Sequence, residues 1–255
     1  GGSKEQLPIA IIGSSYAGLT LGNVLHFLHP IIRYTIFDSK SLPYTYVCGG
    51  KFNIPAYETI AKKLELELDT QHQHHCNDRL NVGPTRQDVI ESLLQRVKTN
   101  LITSRRIISI RKDEKFGAFY LHSIETNNTT KKEQSTKPII YGPYRYVIGA
   151  DGVHSIAHKC TERGIYLVGD ARWVSDRWYD LGLQRIRQGA NMAMIDGYEL
   201  GKAFVMLKGD GQSISSTLVP SKFCAWEIAR WKRTKRRITF IMTVLMVIII
   251  RYRYR

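Results

Sequence analysis

The chain has 255 residues and carries 37 lysines and arginines against 22 acidic residues, a formal net charge of +15. This length can bury a sizeable core, and a composition of 43% hydrophobic and 23% charged residues excludes wholesale disorder. Nine of the basic residues and no acidic residue follow residue 229, which leaves only +6 for the rest of the chain. The charge is mostly a property of the tail, so a body that binds nucleic acid is not expected.

The cysteine and histidine patterns argue against disulfides and against a metal site. Cys48, Cys76, Cys160 and Cys224 lie far apart, without a C-x-x-C pair, which favours free thiols in a reducing compartment. The polar N-terminus leads into a strand without a signal peptide, so an intracellular location is expected. The run HQHHC at 72–76 holds adjacent histidines without a fixed ligand spacing, and no metal is predicted there.

The first forty residues predict the opening of a doubly wound α/β sheet. An apolar run at 7–12 stops at a glycine, as a buried parallel strand does, and residues 19–28 show helical spacing of apolar side chains. Residues 33–37 then predict a second strand. A strand, a very short turn, a helix and a second strand in this order are typical of a nucleotide-binding fold.

Later segments alternate between helical and strand patterns. Polar residues at 126–137 predict a solvated loop, and a Gly- and Ser-rich stretch at 208–221 predicts a linker. The predicted helices lie at 58–68, 87–99, 189–207 and 222–237, and the predicted strands at 105–111, 118–125, 144–148 and 164–168.

The turn after the first strand carries a dinucleotide-binding pattern. It fills the G-x-G-x-x-G slots with a serine in the middle position. The first slot allows a tight turn, the second lets the backbone approach a pyrophosphate, and the third lets the helix pack close to the strand. The helix N-terminus then favours the anionic diphosphate. The candidate residues are Gly13, Ser14, Ser15, Tyr16, Ala17 and Gly18.

Asp38 directly follows the second predicted strand, 20 residues beyond Gly18. A carboxylate at this place accepts hydrogen bonds from a ribose hydroxyl in dinucleotide-binding folds. The alternative is an ordinary turn aspartate at a strand end.

Three later segments indicate which dinucleotide is bound. Residues 147–155 (VIGADGVHS), 167–171 (LVGDA) and 188–196 (QGANMAMID) occur in this order. Together they resemble motifs of the FAD-dependent aromatic hydroxylases, the flavoprotein monooxygenases similar to para-hydroxybenzoate hydroxylase. The resemblance extends over most of residues 7–207. It implies FAD as cofactor and NAD(P)H as electron donor.

The resemblance also assigns roles to single residues. It implies that Asp170 hydrogen-bonds a ribityl hydroxyl of FAD. It further implies that Gly189, Ala190 and Asn191 open a helix whose N-terminus faces the pyrimidine edge of the flavin, where it stabilises the negative charge of reduction.

Two further residues receive roles from the same resemblance. Arg86 matches an arginine near the pyrophosphate, with a solvated residue of a first helical turn as the alternative. Asp151 would lie near FAD and the path of NAD(P)H, with a plain turn residue as the alternative.

The sequence departs from that family in its middle. Only a short stretch separates Asp151 from Asp170, where the family has its substrate-binding sheet, so this segment is largely absent between 155 and 164. A hydroxylase needs a dry pocket, so oxygen transfer depends on whether one remains. The function predicted first is an FAD-dependent oxidoreductase that hydroxylates a small organic substrate. The alternative is a non-catalytic, membrane-attached FAD-domain remnant that acts as a binding or structural subunit.

The C-terminus carries an uncharged apolar segment at 238–250 between basic clusters. As a helix it would span about 20 Å, short of the ~30 Å hydrocarbon core, although basic side chains can snorkel. Membrane contact through this segment and a tail packed on the body both remain open.

The expected fold is α/β: a Rossmann-like FAD-binding domain with a parallel sheet and helices, a reduced β-rich accessory portion, and a C-terminal basic and apolar helix. The predicted boundaries are 1–207 for the FAD-binding domain, 208–221 for the linker, and 222–255 for the basic helix and tail.

Overall fold

The computed structural model describes residues 7–41, 55–66, 86–126, 138–160, 164–173 and 189–209. All of these up to Val205 belong to one compact unit. The predicted basic helix, the apolar tail, most of the predicted linker and the HQHHC run lie outside the described residues. The predicted domain boundaries, and membrane contact through 238–250, therefore stay predictions.

The described elements begin with a strand, a helix and a strand, continue with two helices, and then consist mostly of strands before two final helices. The strands are β1 (Ile9–Ile12), β2 (Tyr34–Phe37), β3 (Leu101–Ile102), β4 (Arg105–Asp113), β5 (Ala118–Glu125), β6 (Ile139–Tyr144), β7 (Tyr146–Gly149) and β8 (Ile165–Leu167). The α-helices are α1 (Tyr16–Leu28), α2 (Pro55–Leu64), α3 (Arg86–Val97), α4 (Asp170–Trp173) and α5 (Gly189–Gly209). Short 3₁₀ helices lie at Lys98–Asn100, Gly152–His154 and Ala157–Lys159.

A parallel sheet forms the centre of the unit, in the strand order β3-β2-β1-β7-β8. All four residues of β1 are buried, as expected for a central strand covered on both faces. Ile12 of β1 pairs with Phe37 of β2 on one side and with Gly149 of β7 on the other. Because the three strands are in register, their carboxyl ends lie at one edge of the sheet, where α/β folds bind ligands.

A second sheet of three antiparallel strands, in the order β4-β5-β6, is the β-rich accessory portion. One core cluster joins it to the parallel sheet: Phe119, Leu121 and Tyr144 pack with Ile12 and Phe37. Burial of these side chains holds the second sheet against the parallel sheet, and the Arg105 N–H donates to the carbonyl oxygen of Asp38 (2.8 Å) where β4 begins beside the end of β2. The mixed α/β fold with a parallel sheet is confirmed.

Strand β6 was missed by the sequence analysis, and the strand predicted at 144–148 is β7, at Tyr146–Gly149. Gly142 and Pro143 interrupt the strand pattern in the sequence. A proline lacks a backbone N–H group and is tolerated in an edge strand, which is the position that β6 takes beside β5.

Helix α2 starts and ends earlier than the predicted range 58–68. Pro55 provides its first residue, where proline's fixed φ suits a helix and its missing N–H is not needed. At its other end, the Arg96 guanidinium of α3 donates hydrogen bonds to the carbonyl oxygens of Leu64 (2.6 Å) and Glu65 (2.8 Å). These bonds satisfy carbonyl groups that the helix end leaves without partners.

Helix α5 packs very closely on α1. A Cβ atom added to Gly197 would lie 2.2 Å from the carbonyl oxygen of Ala17, and one added to Gly201 would lie 2.6 Å from a methyl carbon of Val24. The missing side chains let the two helices touch, which holds the first turn of α1 against α5.

Among the described residues, no helix is long and apolar enough to cross a membrane.

We expect Gly197→Ala to lower the free energy of unfolding by about 2 kcal/mol, because the new methyl group would overlap backbone atoms of α1. Gly22→Ala is the matched control, since it also places a methyl group in a helix but meets the movable end of the Ile36 side chain at 2.9 Å. Urea unfolding of both variants measures the difference. Equal losses in both would contradict the close packing of α5 on α1.

Candidate functional site

The turn after β1 passes directly over the end of β7. Gly13 has a φ of +103°, a conformation that disfavours any side chain. A Cβ atom added there would also lie 2.5 Å from the carbonyl oxygen of Ala150. The Gly13 N–H donates to the carbonyl oxygen of Phe37 (2.7 Å). Gly13, in the first position of the motif, therefore forms the tight turn for which a glycine was predicted.

Helix α1 starts at Tyr16, three residues earlier than predicted, with Ser15 as its N-cap residue. Tyr16, Ala17 and Gly18 thus form the first helical turn. A Cβ atom added to Gly18 would lie 2.0 Å from the carbonyl oxygen of Gly13. This contact is the close approach of helix to strand expected of the third slot.

Ser15 occupies the middle slot without capping the helix through its side chain. Its hydroxyl group instead donates to the carbonyl oxygen of Ala150 (2.9 Å). The extra side-chain atoms are turned toward the end of β7, and the first N–H groups of α1 have no acceptor within the helix. A helix start of this kind attracts an anion.

Asp38 connects the end of β2 to the glycine turn. Its Oδ2 atom accepts hydrogen bonds from the backbone N–H (2.8 Å) and the hydroxyl group of Ser14. Its Oδ1 atom accepts the backbone N–H of Lys40 (2.8 Å). Because a carboxylate offers about four acceptor positions, Oδ1 retains capacity for one more donor.

Asp151 follows β7 and lies beside the same turn. Its Oδ2 atom accepts the backbone N–H of Ile156 (2.9 Å), whereas Oδ1 is buried without a hydrogen-bond partner among the described residues. Burial raises the pKa of the Asp151 carboxyl above its ordinary value, hydrogen bonds from Ser155 and Ile156 oppose this rise, and the charge of Asp38 adds to it.

A cleft of about 610 Å³ opens at this edge of the parallel sheet. It has the size of an ordinary small-molecule site. Five of the residues predicted from the sequence line it together: Gly13, Ser14, Ser15, Asp38 and Asp151. Of the residues that the structure describes, four cationic side chains line it as well, from Lys40, Arg105, Arg106 and Lys159.

The second half of the predicted site lies on the other side of the first turn of α1. Gly169 packs there, and a Cβ atom added to it would lie 3.1 Å from Cβ of Ala17 and 3.3 Å from Cβ of Ala193. Its N–H donates to Oδ2 of the buried Asp196 (3.1 Å). Helix α4, which follows Gly169, contacts the 3₁₀ helix Gly152–His154 that lines the cleft. The two halves are therefore neighbours, although Asp170 does not line the cleft.

Asp170 differs from its expected position at a strand end. Strand β8 stops at Leu167, and Asp170 is the exposed first residue of α4. Partial desolvation still raises the pKa of its carboxyl.

The remaining predicted residues lie at the starts of α3 and α5. Gly189 does begin α5, as predicted, and Ala190 follows in its first turn. The Asn191 side chain is buried, and its Oδ1 atom accepts the backbone N–H of Ala56 at the start of α2 (3.0 Å). Arg86 is the first residue of α3.

Sequence analysis missed the basic residues of the cleft. Lys40 lies two residues after Asp38, a position outside the dinucleotide-binding pattern. Arg105 and Arg106 were placed in a predicted strand, but nothing local in the sequence indicates that this strand begins beside Asp38. Only the long-range contact between β2 and the start of β4 brings them into the cleft.

Solved structures with a similar fold include proteins that are described as oxygenases or were solved with FAD. One, described as a FAD-containing monooxygenase from Photorhabdus luminescens, aligns with a TM-score of 0.60 and 10% identity over 87% of this chain and 94% of that chain. CtdE, solved with FAD and a substrate, aligns with a TM-score of 0.60 and 10% identity over 91% and 87%. The oxygenase of 2-methyl-3-hydroxypyridine-5-carboxylic acid aligns with a TM-score of 0.55 and 12% identity over 88% and 86%.

The likeness to these structures shows that the chain shares their fold. Three further matches, with TM-scores of 0.42 to 0.45, are aligned over only 31% to 33% of the matched chains and add nothing to this conclusion. The chain matches no protein-family model and no curated protein.

We expect Gly13→Ala to lower the free energy of unfolding by roughly 3 kcal/mol, because the substitution combines an unfavourable φ with a clash against Ala150. Gly152→Ala is the matched control: its φ is +79°, but a Cβ atom there meets nothing within 4 Å. This control should lose only about 1 kcal/mol. Chemical denaturation compares the two, and similar losses would show that the clash contributes nothing.

A raised pKa at Asp151 makes the stability of the fold depend on pH. Below the ordinary carboxyl pKa the group is protonated in both the folded and the unfolded protein. As pH rises through the raised folded-state pKa, ionisation opposes folding. We therefore expect the unfolding free energy of Asp151→Asn, relative to the unsubstituted protein, to increase from about pH 3 to about pH 7. A difference that stays constant or shrinks over this interval would contradict the burial of an ionisable Asp151.

Proposed function

We propose that the protein is an FAD-dependent oxidoreductase of the monooxygenase type. The observation that carries this proposal is the cleft itself. A glycine turn, the N-terminus of a 13-residue helix and a carboxylate at the end of the adjacent strand meet there. These three parts bind the pyrophosphate and the adenosine ribose in dinucleotide-binding folds.

The described residues fit the adenosine half of FAD. The start of α1 offers N–H groups and a favourable dipole for the pyrophosphate. Asp38 Oδ1 has room for a ribose hydroxyl, and Asp151 Oδ1 is a buried acceptor without a donor among the described residues. A ligand with hydroxyl groups would supply the donors that these oxygens lack.

The second half of the site would hold the flavin half of the cofactor. In this proposal Asp170 accepts a hydrogen bond from a ribityl hydroxyl, and the first turn of α5 from Gly189 faces the flavin ring. The chain would hold this region in place through Gly169, whose N–H is fixed by the buried Asp196 carboxylate. Arg86 would contribute its positive charge near the pyrophosphate.

The fold neighbours support this assignment, since one is described as containing FAD and another was solved with FAD bound. The resemblance to the aromatic hydroxylases in the three later motifs supports it independently of the fold. Bound FAD would accept a hydride from NAD(P)H and react with oxygen, and the substrate would be a small organic molecule. The chain's own residues bind and orient the cofactor.

A non-catalytic FAD-binding subunit is the second candidate, and one observation favours it. The connection from β7 to β8 is short, and its described part contains two 3₁₀ helices and no strand. Hydroxylation requires a pocket that excludes water from the flavin. A connection this short offers little chain to build one.

A spectroscopic titration with FAD tests the proposed cofactor. We expect Ser15→Gly to bind FAD more weakly by about fivefold, ~1 kcal/mol, because it removes the hydroxyl group that holds the glycine turn on the Ala150 carbonyl oxygen. Ser39→Gly is the control, since Ser39 also lines the cleft but lies outside the glycine turn. Absence of any flavin binding would overturn the proposal. Equal affinities in the two variants would show that the pyrophosphate does not bind at the glycine turn.

Anaerobic addition of NADPH or NADH to the FAD-loaded protein separates the two candidates. Bleaching of the flavin absorbance is the result expected of the oxidoreductase. Flavin that stays bound and oxidised would favour the non-catalytic subunit.

A further inference from the structure

Strand β6 forms one edge of the second sheet. Among the described residues it pairs with β5 alone, which leaves the backbone N–H and C=O groups on its other side available to a further strand. Its first two side chains are apolar and exposed, with 41% of Ile139 and 58% of Ile140 accessible to solvent. An edge of this kind can bind an extended strand through main-chain hydrogen bonds.

The two edges of the second sheet differ in charge. Strand β4, at the opposite edge, has four basic residues and one acidic residue among its nine, and its pairing with β5 is shifted between Ile107 and Ser109. Charged side chains and bulges keep edge strands from associating with other chains. Strand β6, with the sequence IIYGPY, has no charged residue. Of these two edges, β6 is therefore the one that permits pairing.

Packing against the core holds the β6 edge in place. The Tyr141 ring lies against the Phe37 ring, with 4.9 Å between the two ring centroids. A Cβ atom added to Gly142 would lie 2.8 Å from the carbonyl oxygen of Phe119, so the strand also lies very close to the β5 backbone. A strand that is already fixed in an extended conformation loses little conformational freedom when it pairs.

We propose that β6 pairs with β6 of a second copy of this chain, antiparallel and around a two-fold axis at Ile140. Such an interface uses the same residues of both copies, so Ile140 lies opposite Ile140 of the second copy, and Ile139 lies opposite Tyr141. Pro143 has no N–H group to donate, which limits the pairing to the first three residues of the strand. The three strands of each copy then form one continuous sheet of six.

Electrostatics favours a second copy at this edge. The chain has a formal net charge of +15, so two copies repel each other unless they meet through uncharged surfaces. Two β4 edges would bring the arginines of both copies together, and like charges directly opposite each other destabilise a strand pair. Two β6 edges bring only uncharged side chains together, and the two Ile140 side chains supply each other with an apolar cross-strand partner.

Sedimentation velocity of the full chain tests this interface. Three paired residues from each copy form a small contact, so we expect a reversible dimer with a dissociation constant of about 10 µM. Salt screens the repulsion between the two basic copies, so dimerisation should strengthen as the ionic strength rises. A chain that remains monomeric at about 100 µM at high ionic strength would overturn the inference.

Two substitutions that add the same charge separate the β6 edge from other surfaces. Ile140→Lys places two positive charges opposite each other on the axis and should weaken dimerisation by more than about tenfold. Ile31→Lys is the matched control, because Ile31 is 72% exposed and lies between α1 and β2; it should leave the dimer nearly unchanged. Circular dichroism verifies that both variants are folded. An equal effect of the two substitutions would contradict pairing at β6.

A mixture of two variants tests the two-fold axis itself. Ile140→Glu alone should weaken dimerisation as Ile140→Lys does, but an equimolar mixture of the two should dimerise again, because opposite charges then meet on the axis. A mixture that stays monomeric, or an Ile140→Lys chain that still dimerises, would rule out this arrangement. The measurement involves no flavin, so its outcome is independent of the proposed function.

Discussion

The close approach of Gly13 to the end of β7 is the constraint on which the site depends. β1 and β7 run parallel and in register, so Gly149 and Ile12 end side by side. The chain leaving β1 must cross the Ala150 carbonyl group to enter α1, and a Cβ atom at Gly13 would lie 2.5 Å from that oxygen. The start of α1 is brought to the sheet edge by this crossing, and Gly18 allows the helix to remain there.

Asp38 connects this crossing to the rest of the molecule. Its side chain binds Ser14, and its backbone binds Ile102 and Arg105 at the start of the second sheet. One residue therefore couples the glycine turn, the end of β2 and the beginning of β4. Since the same residue borders the cleft, the packing of the accessory sheet and the shape of the ligand site are linked.

The parts of the fold that depend on local pattern could be predicted from the sequence. The buried run before Gly13, the helix after it and the strand before Asp38 were all located, because apolar periodicity and glycine placement are local signals. Edge strand β6 was missed because Pro143 breaks the local pattern, and an edge position, which the sequence does not show, is what makes the proline tolerable. The presence of Arg105 and Arg106 in the cleft could not be predicted, since it results from backbone pairing between distant segments.

The polarity of the cleft changes from floor to mouth, and this gradient restricts the ligand. Asp151 Oδ1 lies buried without a donor among the described residues. A ligand at the floor of the cleft is therefore expected to donate hydrogen bonds from hydroxyl or amide groups. Lys40 and Arg106 lie exposed at the mouth. A ligand there is expected to present negatively charged hydrogen-bond acceptors. An apolar ligand would satisfy neither region. A sugar phosphate presents hydroxyl donors and phosphate acceptors on one molecule, so it matches both regions at once.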